Sequence, residues 1–150
     1  VTVVSVESST TSTALVLPFE VASARTARRR LAADLRGAGI ASDEVHDAVL
    51  VLSELVGNAL RHARPLATGA LRVTWRRHPH QLEVSVTDGG GPTEPRPLEL
   101  PASALGGRGL AIVDDLSARW GVRRGDRTTT VYAVLDMTPS LDMTPSTGRG

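Results

Sequence analysis

Residues 54–63 read Glu-Leu-Val-Gly-Asn-Ala-Leu-Arg-His-Ala and lie in the second half of the clearest helical stretch of the chain. That stretch opens at Ser42, a good N-cap residue, with Asp43 and Glu44 in the first turn, where the helix dipole favours acids. Val45, Val49, Leu52, Val56, Ala59 and Ala63 recur at helical spacing, and Pro65 ends the helix. Glu54 and Asn58 stand at i and i+4, so they project from one face while the apolar stripe points elsewhere. A carboxylate beside a carboxamide suits a hard cation and an activated hydroxyl: the amide oxygen can ligate Mg²⁺ and the acid can take a proton. The same pair also reads as two solvated helix polars.

Outward from this helix, the spacing predicts an α/β (α+β) fold. Upstream, Ala14–Phe19 reads as a short strand and Val21–Ala38 as a helix with Ala24, Ala27, Leu31 and Leu35 on one stripe. Residues 1–13 are Ser/Thr-rich and read as a flexible leader, with no basic n-region to make a secretory signal. Downstream, Leu71–Arg76 and Leu82–Thr87 form a hairpin turned at His78, Pro79 and His80. After a break from Asp88 to Gly107, a helix resumes at Arg108 and runs to about Ala118, and Trp120–Arg123 and Thr128–Leu135 make a second hairpin. Short turns demand antiparallel neighbours. The expectation is a two-layer sandwich with a mixed, mostly antiparallel sheet and helices on one face, spanning residues 14–136.

Composition excludes much. The net charge of +1 rests on 17 basic and 16 acidic residues, a balance with no field for nucleic acid or an anionic membrane. No apolar run approaches the roughly 20 residues of a membrane span, so a soluble cytoplasmic protein is expected. Cysteine is absent, which removes disulfides, thiol nucleophiles and Cys-ligated metals. All 17 basic residues are Arg, and without Lys there is no Walker P-loop, no protein-kinase fold and no Schiff-base enzyme. Asn58 is the only Asn in a chain rich in Ala, Arg, Gly and Val, a bias that suggests a GC-rich, actinobacterial source.

Two glycine clusters flank the break. Asp88 ends a strand and opens Gly89-Gly90-Gly91-Pro92. Glycines let backbone approach a ligand closely, and a strand-end carboxylate can accept from an exocyclic amine; an ordinary turn has the same sequence. Gly106-Gly107-Arg108-Gly109 leads into a helix, whose N-terminus can bind an anion. The 20-residue break between the clusters holds Pro92, Pro95, Pro97 and Pro101, and a loop so long inside a compact domain is usually functional or mobile.

Taken in order, Glu54-Leu-Val-Gly-Asn58-Ala-Leu-Arg-His62-Ala, Asp88-Gly-Gly-Gly, Gly106-Gly-Arg-Gly-Leu-Ala-Ile-Val113 and Thr129-Thr130-Val-Tyr resemble the GHKL (Bergerat-fold) ATPase superfamily. Within it the chain is similar to the anti-sigma-factor serine/threonine kinases. The resemblance implies ATP and Mg²⁺ as cofactors. It implies Asn58 on the metal, Glu54 as catalytic base, and Asp88 on the adenine amine with Gly90 in its turn and Thr130 nearby. Gly107, Arg108 and Gly109 would lie at the phosphates, His62 beside them or on the helix surface, and residues 92–105 would form a lid. It further implies a sigma factor or a STAS-domain anti-anti-sigma factor as partner, and allows a homodimer; the alternative is an ATP-binding switch that transfers nothing. Two positions depart from the family's pattern: Pro92 replaces the second Gly of Asp-x-Gly-x-Gly, and Ala104-Leu105 precedes the later Gly pair where a charged residue is usual.

The chain ends in a tandem hexapeptide, Leu135-Asp-Met-Thr-Pro-Ser140 followed by Leu141-Asp-Met-Thr-Pro-Ser146. The first copy begins inside the closing strand, where Leu135 can pack. Pro139 and Pro145 block helix and ladder alike, so residues 137–150 are expected to form a low-complexity tail, of which residues 141–150 make few contacts with the domain.

Overall fold

The computed structural model describes residues 2–7, 10–91 and 108–138. Its elements run β1 (Thr2–Glu7), β2 (Thr10–Pro18), α1 (Ala22–Gly37), α2 (Ser42–His62), β3 (Ala70–Arg77), β4 (Gln81–Asp88), α3 (Arg108–Leu116), β5 (Arg119–Gly125) and β6 (Thr128–Asp136). The strands form one sheet in the order β1-β2-β3-β4-β6-β5. The expected two-layer α+β architecture is present, but the sheet is not mixed: all five pairings are antiparallel. The connection through α3 carries β5 to the edge, one strand away from β4, and β6 returns between them. β4 and β5, which point the same way, therefore do not pair.

The central strands alternate over most of their length, with Val134 of β6 and Ala70 of β3 buried as well. Leu71, Val73 and Trp75 of β3, Leu82, Val84 and Val86 of β4, and Val131, Ala133 and Leu135 of β6 are buried on one side. Ala27, Leu31 and Leu35 of α1 and Val45, Ala48, Val51, Leu52, Leu55, Val56 and Ala59 of α2 complete the same core. Two indoles tie the layers through carboxylates. Trp75 Nε1–H donates to Asp34 of α1 at 2.8 Å, and Trp120 Nε1–H of β5 donates to Asp114 of α3 at 3.0 Å.

Three local expectations change. Residues 2–7 are strand β1, paired with β2, and β2 itself begins at Thr10, so most of the leader belongs to the sheet. Threonine is a good strand former, and a Ser/Thr tract can make an edge strand as readily as a leader. Ser42 is the first helical residue and Ala41 holds the cap position, with no side-chain cap bond. At the other end Met137 is buried, its N–H donates to His80 O at 2.8 Å, and Thr138 bonds to Glu44, so the tail starts later than residue 137. The lid, residues 92–105, and the second hexapeptide lie outside the described residues. No helix among the described residues is long and apolar enough to cross a membrane.

Candidate functional site

The second half of α2 lies over the end of β4 and the start of β6, and an open cavity lies between them. Leu55, Ala59, Val86 and Val131 form apolar wall, while Asn58, His62, Asp88 and Thr129 supply polar groups. An apolar pocket with a few convergent polar groups is the usual form of a small-molecule site.

Asp88 is the most constrained of these groups. It is 4% exposed, and one carboxylate oxygen accepts the Gly90 N–H at 2.7 Å. Burial raises its carboxyl above the usual value of 3.8, and the Gly90 hydrogen bond opposes that rise. With one oxygen engaged in the turn, the other can accept from a bound donor.

The glycines after Asp88 have distinct physical reasons. Gly90 has φ +83°, a left-handed conformation that disfavours side chains. A Cβ on Gly89 would lie 2.1 Å from Pro65 O, and one on Gly91 would lie 2.7 Å from His62 O. This close approach is held by two backbone bonds: Gly89 N–H donates to Arg64 O at 2.8 Å, and Arg64 N–H donates to Gly90 O at 2.7 Å. The exit of α2 and the turn that sets Asp88 are thus clasped backbone to backbone, which fixes Asn58 and Asp88 relative to each other.

The sequence-derived residues distribute unevenly. Asn58, His62 and Asp88 meet at the cavity, with His62 at its exposed rim, and Gly90 shapes the turn. Glu54 lies one turn before Asn58, partly buried, and does not line the cavity. Arg108 and Gly109 open α3, while Gly107 lies outside the described residues. Thr130 does not line the cavity. Its hydroxyl pairs with Thr87 at 2.7 Å, on the sheet face away from the helices. Thr129 is the residue that faces the cavity, directly opposite Asp88 in the β4–β6 register. Strand alternation decides this: Thr129 shares parity with the core residues Val131, Ala133 and Leu135, and that pattern could have identified it from the sequence.

The donor set suits a nucleotide-bound cation better than a protein-caged one. No group of three or more His, Cys, Asp or Glu able to hold a metal occurs among the described residues. Asn58 offers one oxygen, and Mg²⁺ commonly keeps waters and completes its shell with substrate phosphates.

The chain matches the profile of the histidine kinase-like ATPase domain over residues 17–135. No curated protein matches its sequence. Among solved structures, the RsbU and RsbW domains of Rv1364c from Mycobacterium tuberculosis align with a TM-score of 0.61 and 22% identity. The alignment covers 85% of this chain and 33% of that one, and at this identity it is a likeness of fold. With the profile spanning most of the sequence, and the fold in agreement, the chain belongs to the histidine kinase-like ATPase domain family, in which ATP and Mg²⁺ binding is general.

Proposed function

We propose that the cavity between α2, β4 and β6 binds Mg²⁺-ATP, and that the chain is a cytoplasmic regulator of transcription of the anti-sigma-factor kinase type. The observation that carries the reading is the convergence of Asn58 and Asp88, from separate elements, on one cavity. Asp88 accepts from the adenine amine, with Thr129 beside it. Asn58 gives an oxygen ligand to Mg²⁺, which neutralises phosphate charge when bound. Arg108 and the start of α3, with Gly107 and Gly109, attract the phosphates. Glu54 takes the proton from a serine hydroxyl of a STAS-type partner as that oxygen bonds to the γ-phosphorus and the bond to ADP breaks. A sigma factor is the second partner.

One observation favours a second reading, a nucleotide-dependent switch without transfer: Glu54 does not line the cavity. Calorimetry tests the shared part. Mg²⁺-ATP binds the native chain, and Asp88→Ala and Asn58→Ala weaken it by roughly tenfold or more, in line with the loss of a charge-assisted or metal-bound contact. Unchanged affinity in Asp88→Ala overturns the pocket. Transfer of labelled γ-phosphate to a serine protein, lost in Glu54→Gln while ATP still binds, separates kinase from switch.

A further inference from the structure

The first hexapeptide does structural work. Leu135 and Met137 are buried, Leu135 pairs with Leu82 across to β4, and Met137 N–H donates to His80 O. Thr138 then docks on the start of α2: its N–H lies 3.0 and 3.1 Å from the two Glu44 carboxylate oxygens, and its hydroxyl donates to the same group. The second hexapeptide repeats every one of these side chains in the same order, with Leu141 for Leu135, Met143 for Met137 and Thr144 for Thr138.

The offset of six residues is even. An odd slip along a strand would turn the apolar side chains to the solvent face, whereas an even slip keeps them facing the core. The location also permits a slip. β5 covers β6 only as far as the Arg119–Val134 pair, and beyond Val134 the strand is paired on the β4 side alone. A loop extruded between Val134 and Leu141 can leave through the uncovered side without breaking the β5 ladder. Pro139 and Pro145 occupy equivalent places just after the docked threonine, so neither copy brings proline into the ladder.

We propose that Leu141–Ser146 is a spare docking segment for the end of β6, which enters the site of Leu135–Thr138 in the same chain when the first copy is disabled. The short tether favours the chain's own second copy over a neighbour's, because it holds that copy at high effective concentration. In the undamaged chain the first copy keeps the site, since docking the second adds the closure of a six-residue loop.

The test uses the full chain and thermal melting. Leu141→Asp with Met143→Asp, and separately a chain ending at Ser140, should melt within about 2 °C of the native protein. Leu135→Asp with Met137→Asp should lose no more than about 5 °C, because the charges move into the extruded loop. All four substitutions together should lose more than about 10 °C or prevent folding, as expected for two buried side chains in a domain of this size. A first-copy variant as damaged as the fourfold variant, or failing to fold, overturns the proposal. So does a fourfold variant that melts with the native protein. Rescue that grows with protein concentration and comes with dimers on gel filtration also overturns it, in favour of exchange between chains.

Discussion

Asp88 and Thr129 are paired across β4 and β6, and both side chains are buried on the helix-facing side of the sheet. Thr130, the next residue, turns its hydroxyl to Thr87 on the opposite face. One step along the strand separates a pocket wall from an outer-face residue.

This makes the threonines separable. Thr129→Val keeps the side-chain shape and removes the hydroxyl, so Mg²⁺-ATP affinity should fall by about 3- to 10-fold, the value of one ordinary hydrogen bond. Thr130→Val should leave affinity unchanged and cost only the Thr87 contact. Calorimetric titration of both variants checks the assignment, and the reverse order of effects would return the role to Thr130.

Asp88 should be held at a cost to stability. Its folded-state carboxyl titrates above the usual 3.8 because of burial, so the folded chain binds that proton more tightly than the unfolded chain. Stability from this group therefore falls as pH rises from about the unfolded value through the raised folded one. Asp88→Asn carries no charge to desolvate and can still accept the Gly90 N–H. It should melt higher than the native chain at neutral pH, and the gap should narrow as pH is lowered toward 3.8. In the same variant the amide NH₂ replaces the free acceptor, so ATP affinity should fall. Melting curves across pH, with one titration at neutral pH, check both signs.

Gly89 and Gly37 make a contrasting pair. A methyl at Gly89 meets Pro65 O at 2.1 Å, whereas one at Gly37 meets nothing within 4 Å. Gly89→Ala should destabilise by about 1–3 kcal/mol, as overpacking does, and should weaken ATP by moving Asp88. Gly37→Ala should be neutral or stabilise by up to about 1 kcal/mol. Chemical denaturation of the two variants gives both values.

Trp75→Phe removes the donor to Asp34 at 2.8 Å and leaves that carboxylate with Arg77 Nε at 3.9 Å. The expected loss is about 1–3 kcal/mol. Asp34→Asn, which can still accept from the indole, should lose less.

Much of this was legible because the core is regular. The α2 stripe, the alternation of Leu82, Val84 and Val86, and the glycines after Asp88 each carry a local signal that tertiary packing does not reverse. What failed was information shared between neighbours. Residues 2–7 pair with β2, and residues 11–13 of β2 pair with β3, an order that no local pattern reveals. Met137 and Thr138 read as tail because their partners, His80 and Glu44, are distant in sequence. The cavity-facing Thr129 was hidden in a run of three threonines, although the parity of Val131 and Ala133 marked it. The clasp between Arg64 and the Gly89–Gly90 turn was invisible because it joins backbone atoms, which carry no residue-type signal.

The two tryptophans, the only ones in the chain, give it an internal pair of optical reporters. Trp75 is 1% exposed and held between α1 and the sheet, so its emission follows loss of the whole core. Trp120 is half-buried and bonded to α3, the helix that begins at Arg108. In a Trp75→Phe background, the remaining tryptophan emission comes from Trp120 alone. Its intensity then follows the seating of α3 against β5 as nucleotide is added, without a label attached to the protein.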